Sequence, residues 1–126
     1  MRAYQFARDG EGYRLELVNR PDPTPGPGRV VVRVRAASLN YRDLMVLKGF
    51  YPVSTKDPLV PGSDGAGDVI EVGPAVTRFK VGDRVTTCFF PDWVEGRMSG
   101  PKIATALGAG GAGTLGEEVV LDERSL

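Results

Sequence analysis

The spacing of apolar and polar residues predicts short β-strands along most of the chain. Residues 1–6 and 13–18 flank the turn sequence at residues 9–12, and together they predict a β-hairpin. In the second of these strands apolar positions alternate with charged ones, which places Leu15 and Leu17 on the same face. The chain therefore begins with two antiparallel strands.

Residues 29–37 show the clearest alternation. One face carries small apolar residues and the other carries mainly arginine, so we expect one face on a core and the other mostly in water. The apolar face consists of Val30, Val32, Val34 and Ala36, and the opposite face consists of Arg29, Val31, Arg33 and Arg35.

Later segments continue the β pattern. The β-branched run at residues 69–72 predicts a buried strand, and a turn at Gly82-Asp83 leads into a strand that extends to about residue 90. A last strand is predicted over residues 114–121, with Val119 and Leu121 on the same face. Two segments lack any period and are predicted as irregular connections: the proline-rich residues 21–28 and the long stretch 91–113.

Residues 38–48 change to a helical period of about two turns. Asn40 and Asp43 have the spacing of a capping box, and Gly49 stands at the position of a C-terminal stop. The predicted apolar face consists of Leu44 and Leu47 with Tyr41 or Met45. Residues 50–52 leave the helix in an aromatic turn, and a loop containing residues 54–57 follows.

A polar pair follows the turn at Pro61-Gly62 and precedes a strand. Ser63 and Asp64 lie at the mouth of this strand, whose first residues include Gly65 and Gly67. Glycines at this spacing lie on one face, where they let a second backbone or a flat ligand come close. Two interpretations remain open: a polar pocket lip, or a tight turn and strand crossing without any ligand.

Composition limits the chemistry that this chain performs. Its 126 residues suit one domain with one core, and 16 basic residues balance 16 acidic ones, so no net field favours nucleic acid or an acidic membrane. With no histidine and one cysteine, the chain cannot form a tetrahedral N/S zinc site or a Ser-His-Asp triad. Cys88 is predicted to be a small buried hydrophobe, and no apolar run is long enough for a membrane helix.

Several motifs have structural alternatives. Gly108, Gly110 and Gly113 match G-x-G-x-x-G, but a strand rather than a helix follows, so a glycine-rich surface loop is favoured over a nucleotide loop. Asn40 with Asp43 is favoured as a helix cap over a catalytic pair, and Tyr41 and Tyr51 are favoured as core or rim aromatics. Tyr51 lies near Ser63 and Asp64 only if the chain folds back there. The residues alone indicate a small β domain with a polar mouth.

Six motifs in order resemble the N-terminal catalytic domain of the medium-chain dehydrogenase/reductase superfamily. The resemblance is strongest to its zinc-independent, quinone oxidoreductase-like alcohol dehydrogenases, and it covers all 126 residues. It implies a mainly β fold, a GroES-like distorted and partly open β-barrel with one or two short helices. The motifs are Ala36-Ala-Ser-Leu-Asn-Tyr-Arg-Asp43, Gly49-Phe-Tyr-Pro52, Pro61-Gly-Ser-Asp-Gly-Ala-Gly67, Val72-Gly73, Phe79-Lys-Val-Gly-Asp-Arg-Val85 and Gly113-Thr-Leu-Gly-Glu-Glu118.

The departures from this family's zinc enzymes concern their metal ligands. Asn40 and Tyr41 stand where those enzymes have Cys-His, Ser63 and Asp64 stand where they have His-Glu, and the region after Pro91 has no cysteine. The resemblance therefore implies an oxidoreductase without zinc that uses NADPH or NADH to reduce a quinone, an enone or an enoyl thioester.

The same resemblance implies roles for particular residues. Tyr51 matches a proton donor of the family's enoyl-thioester reductases, and Asn40 is assigned with it to the catalytic group. Four further residues are implied to line the substrate and cofactor cleft. These are Tyr41, Asp43, Ser63 and Asp64.

The resemblance also implies partners. A Rossmann domain is expected downstream of residues 1–126, packed on an exposed apolar surface, and without it we expect no turnover. The expected partners are a small-molecule substrate and this Rossmann domain, with no nucleic acid or membrane and with a homodimer allowed; the expected location is the cytoplasm. The alternatives are a non-catalytic GroES-like binding module such as a co-chaperonin subunit, and a zinc-dependent dehydrogenase.

Overall fold

The computed structural model describes residues 1–51 and 58–126. In this part of the chain six strands, two short α-helices and a 3-10 turn follow one another. The predicted loop at residues 54–57 and the end of the predicted turn at residues 50–52 lie outside the described residues. The elements are β1 (Arg2–Asp9), β2 (Gly12–Asn19), β3 (Arg29–Ser38), α1 (Tyr41–Leu47), β4 (Asp64–Val72), β5 (Arg84–Thr86), α2 (Gly100–Ile103), β6 (Glu118–Asp122) and the 3-10 turn Glu123–Ser125.

The predicted hairpin is confirmed. β1 and β2 pair antiparallel from Arg2 opposite Asn19 to Asp9 opposite Gly12. The other edge of β1 bonds to the rest of the molecule, because the backbone N–H of Tyr4 donates to the Leu115 carbonyl oxygen at 2.8 Å. The hairpin is thereby fixed to the chain that leads into β6.

The second sheet has the strand order β5-β4-β3-β6, with every neighbouring pair antiparallel. β3 is central, and its predicted alternation holds only in part. Val31 is buried and Ala36 is exposed, opposite to the prediction. The reason is that the β3–β4 register shifts between Val31 and Val32 and again between Val34 and Ala36, and each bulge breaks the alternation of faces.

Two apolar clusters form the interior. The larger one lies on the four-stranded sheet, and the smaller one joins the hairpin, α1 and the glycine-rich segment. The larger cluster contains Val30, Val32, Val69, Val85, Leu107, Val119 and Leu121, and the smaller contains Phe6, Val46, Leu59 and Ala109. The predicted mainly β fold with one or two short helices is confirmed. The two sheets of the described chain do not close into a barrel.

β5 is shorter than predicted. It ends at Thr86: the N–H of Thr87 still donates to the Gly65 carbonyl oxygen of β4 at 2.9 Å, but the N–H of Cys88 turns away and donates to the Ser125 carbonyl oxygen at 2.7 Å. This path leaves the thiol of Cys88 exposed, so its prediction as a buried hydrophobe is wrong. No helix in residues 1–51 and 58–126 has the length and apolarity that crossing a membrane requires.

The glycine-rich segment is buried at Gly108, Ala109 and Gly113, where its prediction as a surface loop is wrong, while Ala112 is exposed. Gly108 has a φ of +71° and lies directly on the Gly62 backbone, and Gly113 lies as close to the Pro61 carbonyl oxygen. A side chain at either position would overlap these backbones. The segment is therefore a close-packed floor beneath the turn at residues 61–64.

The glycines of β4 accommodate protein rather than open space. A Cβ at Gly67 would overlap the carbonyl oxygen of Arg33 on β3, and a Cβ at Gly65 would come within 2.9 Å of the Thr114 side chain. The lack of side chains at these two positions therefore allows the backbone crossing and brings Thr114 beside β4.

We predict that Gly67→Ala lowers the free energy of unfolding by about 3 kcal/mol, since the added methyl group meets backbone that has no room to shift. Chemical denaturation measures this change. The matched control is Gly26→Ala, at a position where an added Cβ meets nothing within 4 Å. Equal stability of the two variants would contradict the packing described here.

Candidate active site

The N-terminus of α1 is joined to the start of β4 by a polar network. The carboxylate of Asp43 accepts from the backbone N–H of Asn40 at 2.9 Å, which is the Asp43 half of the predicted capping box. The side-chain amide of Asn40 donates to the Asp64 carboxylate at 2.7 Å. Three of the predicted site residues, Asn40, Asp43 and Asp64, are therefore brought together.

The buried face of α1 differs from the predicted apolar face. Arg42, Asp43 and Val46 are buried, whereas Tyr41 is 77% exposed and Leu44 is also exposed. The helix turns Arg42 and Asp43 inward because they find hydrogen-bond partners there. Val46 belongs to the smaller apolar cluster, and Leu47, from the predicted face, packs against it. A helical period in the sequence identifies a helix, but it does not show which face is buried when polar partners are available.

Arg42 is the principal site residue that the sequence analysis missed. Its Nη1 donates to the Ser63 hydroxyl oxygen and to the Leu107 carbonyl oxygen, the latter at 2.6 Å. The guanidinium carbon lies 4.6 Å from the ring centroids of both Tyr51 and Phe89. The guanidinium therefore makes cation–π contacts with two aromatic rings, which restrict its position. Its only sequence signal is a charged residue next to Asp43 in a short helix.

Ser63 is fully buried, with none of its surface exposed. Its hydroxyl oxygen faces Arg42, and its carbonyl oxygen accepts from the Thr87 hydroxyl at 3.3 Å. The hydroxyl of Thr114 donates to the Asp64 carbonyl oxygen at 3.1 Å. Thr87 and Thr114, which the sequence analysis also missed, thus fix the backbone of the turn that carries Ser63 and Asp64.

The chain folds back as required for Tyr51 to reach the polar mouth. Its ring packs on the smaller apolar cluster and on the guanidinium of Arg42, which in turn bonds to Ser63. Tyr41 does not join this group and lies at the surface with Leu39 and Phe50, whose side chains are also exposed. Leu39 and Tyr41 are exposed at the N-terminal end of α1, and Phe50 is exposed beyond its C-terminal end.

A shallow groove of about 360 Å³ lies beside Asp64. It is walled by the end of β3, the start of β4 and the residues that follow β5, including Ser38 and Thr87. Two larger cavities, of about 420 and 430 Å³, contain none of the predicted site residues. Asp64 is the predicted site residue that lines the groove, and Asn40 is linked to the groove through its hydrogen bond to this carboxylate.

The donor set of this site does not suit a metal ion. The described residues contain no group of three or more His, Cys, Asp or Glu side chains that could hold one. The Ser63 hydroxyl is already bonded to the Arg42 guanidinium, and a cation there would face a fixed positive charge. The carboxyl groups with a lowered pKa lie elsewhere, such as Glu117, whose pKa is lowered by the backbone N–H and guanidinium of Arg2.

Comparison with known proteins identifies relatives of the chain. The family model "Alcohol dehydrogenase GroES-like domain" matches residues 26–126. A zinc-type alcohol dehydrogenase-like protein of Schizosaccharomyces pombe is 43% identical over 79% of this chain and 29% of its own length. An acryloyl-coenzyme A reductase of Metallosphaera sedula is 43% identical over 73% of this chain and 27% of its own length.

Solved structures share the fold. A thermostable alcohol dehydrogenase from Pyrobaculum aerophilum superposes with a TM-score of 0.82 at 31% identity, covering 99% of this chain and 39% of that one. A quinone oxidoreductase of Pseudomonas syringae pv. tomato superposes with a TM-score of 0.70 at 37% identity, covering 97% of this chain and 31% of that one. The chain spans less than a third of the length of the curated relatives named above.

We predict that Asn40→Asp lowers the free energy of unfolding at pH 7 by about 2 kcal/mol, because two carboxylates then meet where the amide donates to Asp64 at 2.7 Å. Their repulsion raises the pKa of one carboxyl in the folded state. The loss should therefore shrink as the pH falls and that carboxyl becomes protonated.

Thermal or denaturant unfolding between pH 4 and pH 7 measures this dependence. The control is Asn19→Asp, at an exposed position at the end of β2. Parallel pH profiles for the two variants would contradict the proposed contact between Asn40 and Asp64.

Proposed function

The chain belongs to the alcohol dehydrogenase GroES-like domain family, within the medium-chain dehydrogenase/reductase superfamily of oxidoreductases, and from this we propose that it is the catalytic-domain portion of a zinc-independent reductase. The proposed substrate is a quinone, an enone, an enoyl thioester or a related carbonyl compound. The reduced nicotinamide of NADPH or NADH supplies a hydride when bound. The residues of this chain orient the substrate and handle the proton.

The observation that carries this proposal is the arrangement around Arg42. A phenol, a buried guanidinium and an amide–carboxylate pair converge where metal-dependent enzymes need metal ligands. Such a site suits reduction of an electron-poor double bond, in which negative charge develops and a proton is delivered. The names of two relatives, an acryloyl-coenzyme A reductase and a quinone oxidoreductase, support the same substrate class.

Each predicted site residue has a proposed role. Tyr51 donates the proton to the reduced substrate, Asp64 contributes the carboxylate that lines the groove, and Asn40 holds that carboxylate in place. Asp43 orients Asn40 by accepting a hydrogen bond from the Asn40 backbone N–H, and Ser63 positions Arg42 by accepting a hydrogen bond from Nη1 of the guanidinium. These roles need no metal ion.

Tyr41 is proposed to act with a second domain. Tyr41 is exposed, as are Leu39 and Phe50. Because these large apolar side chains lack cover in the described chain, they support packing against a Rossmann domain in the same polypeptide. That domain would bind most of the nicotinamide cofactor, so residues 1–126 alone are proposed to be inactive. A cytoplasmic location and a homodimer are compatible with this proposal.

The competing hypothesis is a zinc-dependent dehydrogenase. One structural neighbour is described as a cobalt- and zinc-bound alcohol dehydrogenase from Pyrobaculum aerophilum, at 29% identity and a TM-score of 0.79. The donor set of this chain argues against the same chemistry here, because Ser63 is engaged by a guanidinium and cannot replace an imidazole ligand.

We predict that the full-length polypeptide oxidises NADPH or NADH in the presence of an enone, an enoyl thioester or a quinone, and that incubation with a chelator leaves the rate unchanged. In this enzyme Tyr51→Phe should lower kcat about 100-fold with enone and thioester acceptors, because the substrate loses its positioned acid. Absorbance of the reduced nicotinamide measures both effects.

Tyr4→Phe serves as the control, since Tyr4 lies half-exposed on β1 and contributes to a different cavity. An unchanged kcat in Tyr51→Phe would remove Tyr51 from the mechanism. Loss of all activity on chelation would instead overturn the metal-independent reaction.

A further inference from the structure

Arg42 carries a buried positive charge that the proposed roles above do not use. The residue is only 9% exposed, and its Nε and Nη2 have no hydrogen-bond partner in the described chain. A buried charged donor without a partner is costly, often by several kcal/mol. Such a cost indicates that a ligand supplies the missing acceptor during function.

The unpaired atoms form one edge of the planar guanidinium. Nη1 donates to the Ser63 hydroxyl oxygen and to the Leu107 carbonyl oxygen, and the centroids of the Tyr51 and Phe89 rings each lie 4.6 Å from the guanidinium carbon. The remaining Nε and Nη2 hydrogens point in nearly the same direction, and this edge makes two parallel hydrogen bonds to oxygen anions. The chain thus fixes Nη1 and leaves the Nε–Nη2 edge, which is the anion-binding edge, without an acceptor among the described residues.

We propose that this vacant edge of Arg42 binds the oxygen of the substrate that becomes negatively charged during reduction. The inference rests on the proposed function and adds a catalytic residue to it. Hydride from the reduced nicotinamide forms a C–H bond at the β-carbon of an enone or enoyl thioester. The electron pair of the C=C bond then forms the bond between the α-carbon and the carbonyl carbon, the C=O π pair moves to the oxygen, and the hydride donor is left oxidised. Arg42 stabilises the resulting enolate oxygen.

The second half of the step returns the carbonyl group. The enolate oxygen gives back its electron pair, and the α-carbon takes a proton from the Tyr51 hydroxyl. The Tyr51 ring contacts the guanidinium directly, with 4.6 Å between its centroid and the guanidinium carbon. The proposed acid, Tyr51, and the proposed oxyanion donor, Arg42, are therefore neighbours, as protonation of the α-carbon next to an enolate oxygen requires.

Burial strengthens the interaction and requires a movement on binding. The Nε and Nη2 atoms each expose less than 1 Å², so water does not compete for them, and an oxygen reaches them only when a neighbouring side chain moves. Phe89 is one such neighbour, and its ring lies 4.3 Å from that of Phe90, which lies 5.7 Å from that of Trp93. Trp93 is the one tryptophan among these 126 residues, so its fluorescence should report the movement.

The experiment compares two small probes of equal size on the full-length polypeptide. Crotonate carries a carboxylate and crotonamide is neutral, and their binding is titrated through the Trp93 signal, assigned by its loss in Trp93→Phe. We expect wild type to bind crotonate at least about tenfold more tightly than crotonamide, since a bidentate charge-assisted pair adds this much affinity. Arg42→Met and Arg42→Lys should each reduce this preference, the first to none.

Arg78→Met is the matched control. Arg78 also stacks on an aromatic ring, with its guanidinium carbon 5.2 Å from the Phe79 centroid, but it is exposed and donates to backbone carbonyl oxygens near the C-terminal end of the sequence. Its loss should leave the crotonate preference unchanged. In turnover assays with an enone, Arg42→Met should lower kcat about 100- to 1,000-fold, as loss of an oxyanion donor does.

Two results would overturn the proposal. One is equal binding of crotonate and crotonamide by wild type, and this result does not depend on whether any variant folds. The other is a crotonate preference that is undiminished in a folded Arg42→Lys or Arg42→Met enzyme. Because binding of the probes needs no turnover, failure of the reductase assay alone would overturn the proposed function and leave the anion site standing.

Discussion

The buried guanidinium of Arg42 connects the parts of this molecule that form the site. It comes from α1, bonds to the turn at residues 61–64 through Ser63, and bonds to the glycine-rich segment through the Leu107 carbonyl oxygen. The rings of Tyr51 and Phe89 make cation–π contacts with the guanidinium. Four separate stretches of chain therefore converge on one fixed charge, and the polar network of Asn40 lies beside it.

The β framework makes this convergence possible through close backbone packing. Gly62 lies on Gly108, and Gly113 lies beside Pro61, so the turn and the floor beneath it approach more closely than side chains would allow. Thr114 then fixes the backbone of Asp64 from the same floor. The glycines thus serve the site by positioning backbone carbonyl and hydroxyl oxygens around Arg42, with no nucleotide loop at their position.

Sequence reasoning identified the elements better than their buried faces. The hairpin, the central strand, the cap at Asn40 and the stop at Gly49, where φ is +76°, follow from local alternation and local backbone preference. Contacts between residues far apart in sequence decide the inward face of α1, the exposure of Cys88 and the burial of Gly108 and Gly113. Arg42 shows this most clearly, because a lone arginine in a short helix is read as exposed until its distant partners are known.

The most direct test of this account is a double-mutant cycle between Arg42 and Ser63, measured as the free energy of unfolding of wild type, Arg42→Lys, Ser63→Ala and the double variant. We predict a coupling energy of about 1 kcal/mol or more, because the single variants remove the same buried hydrogen bond. Additive effects, within about 0.3 kcal/mol, would contradict the claim that Arg42 holds the site together.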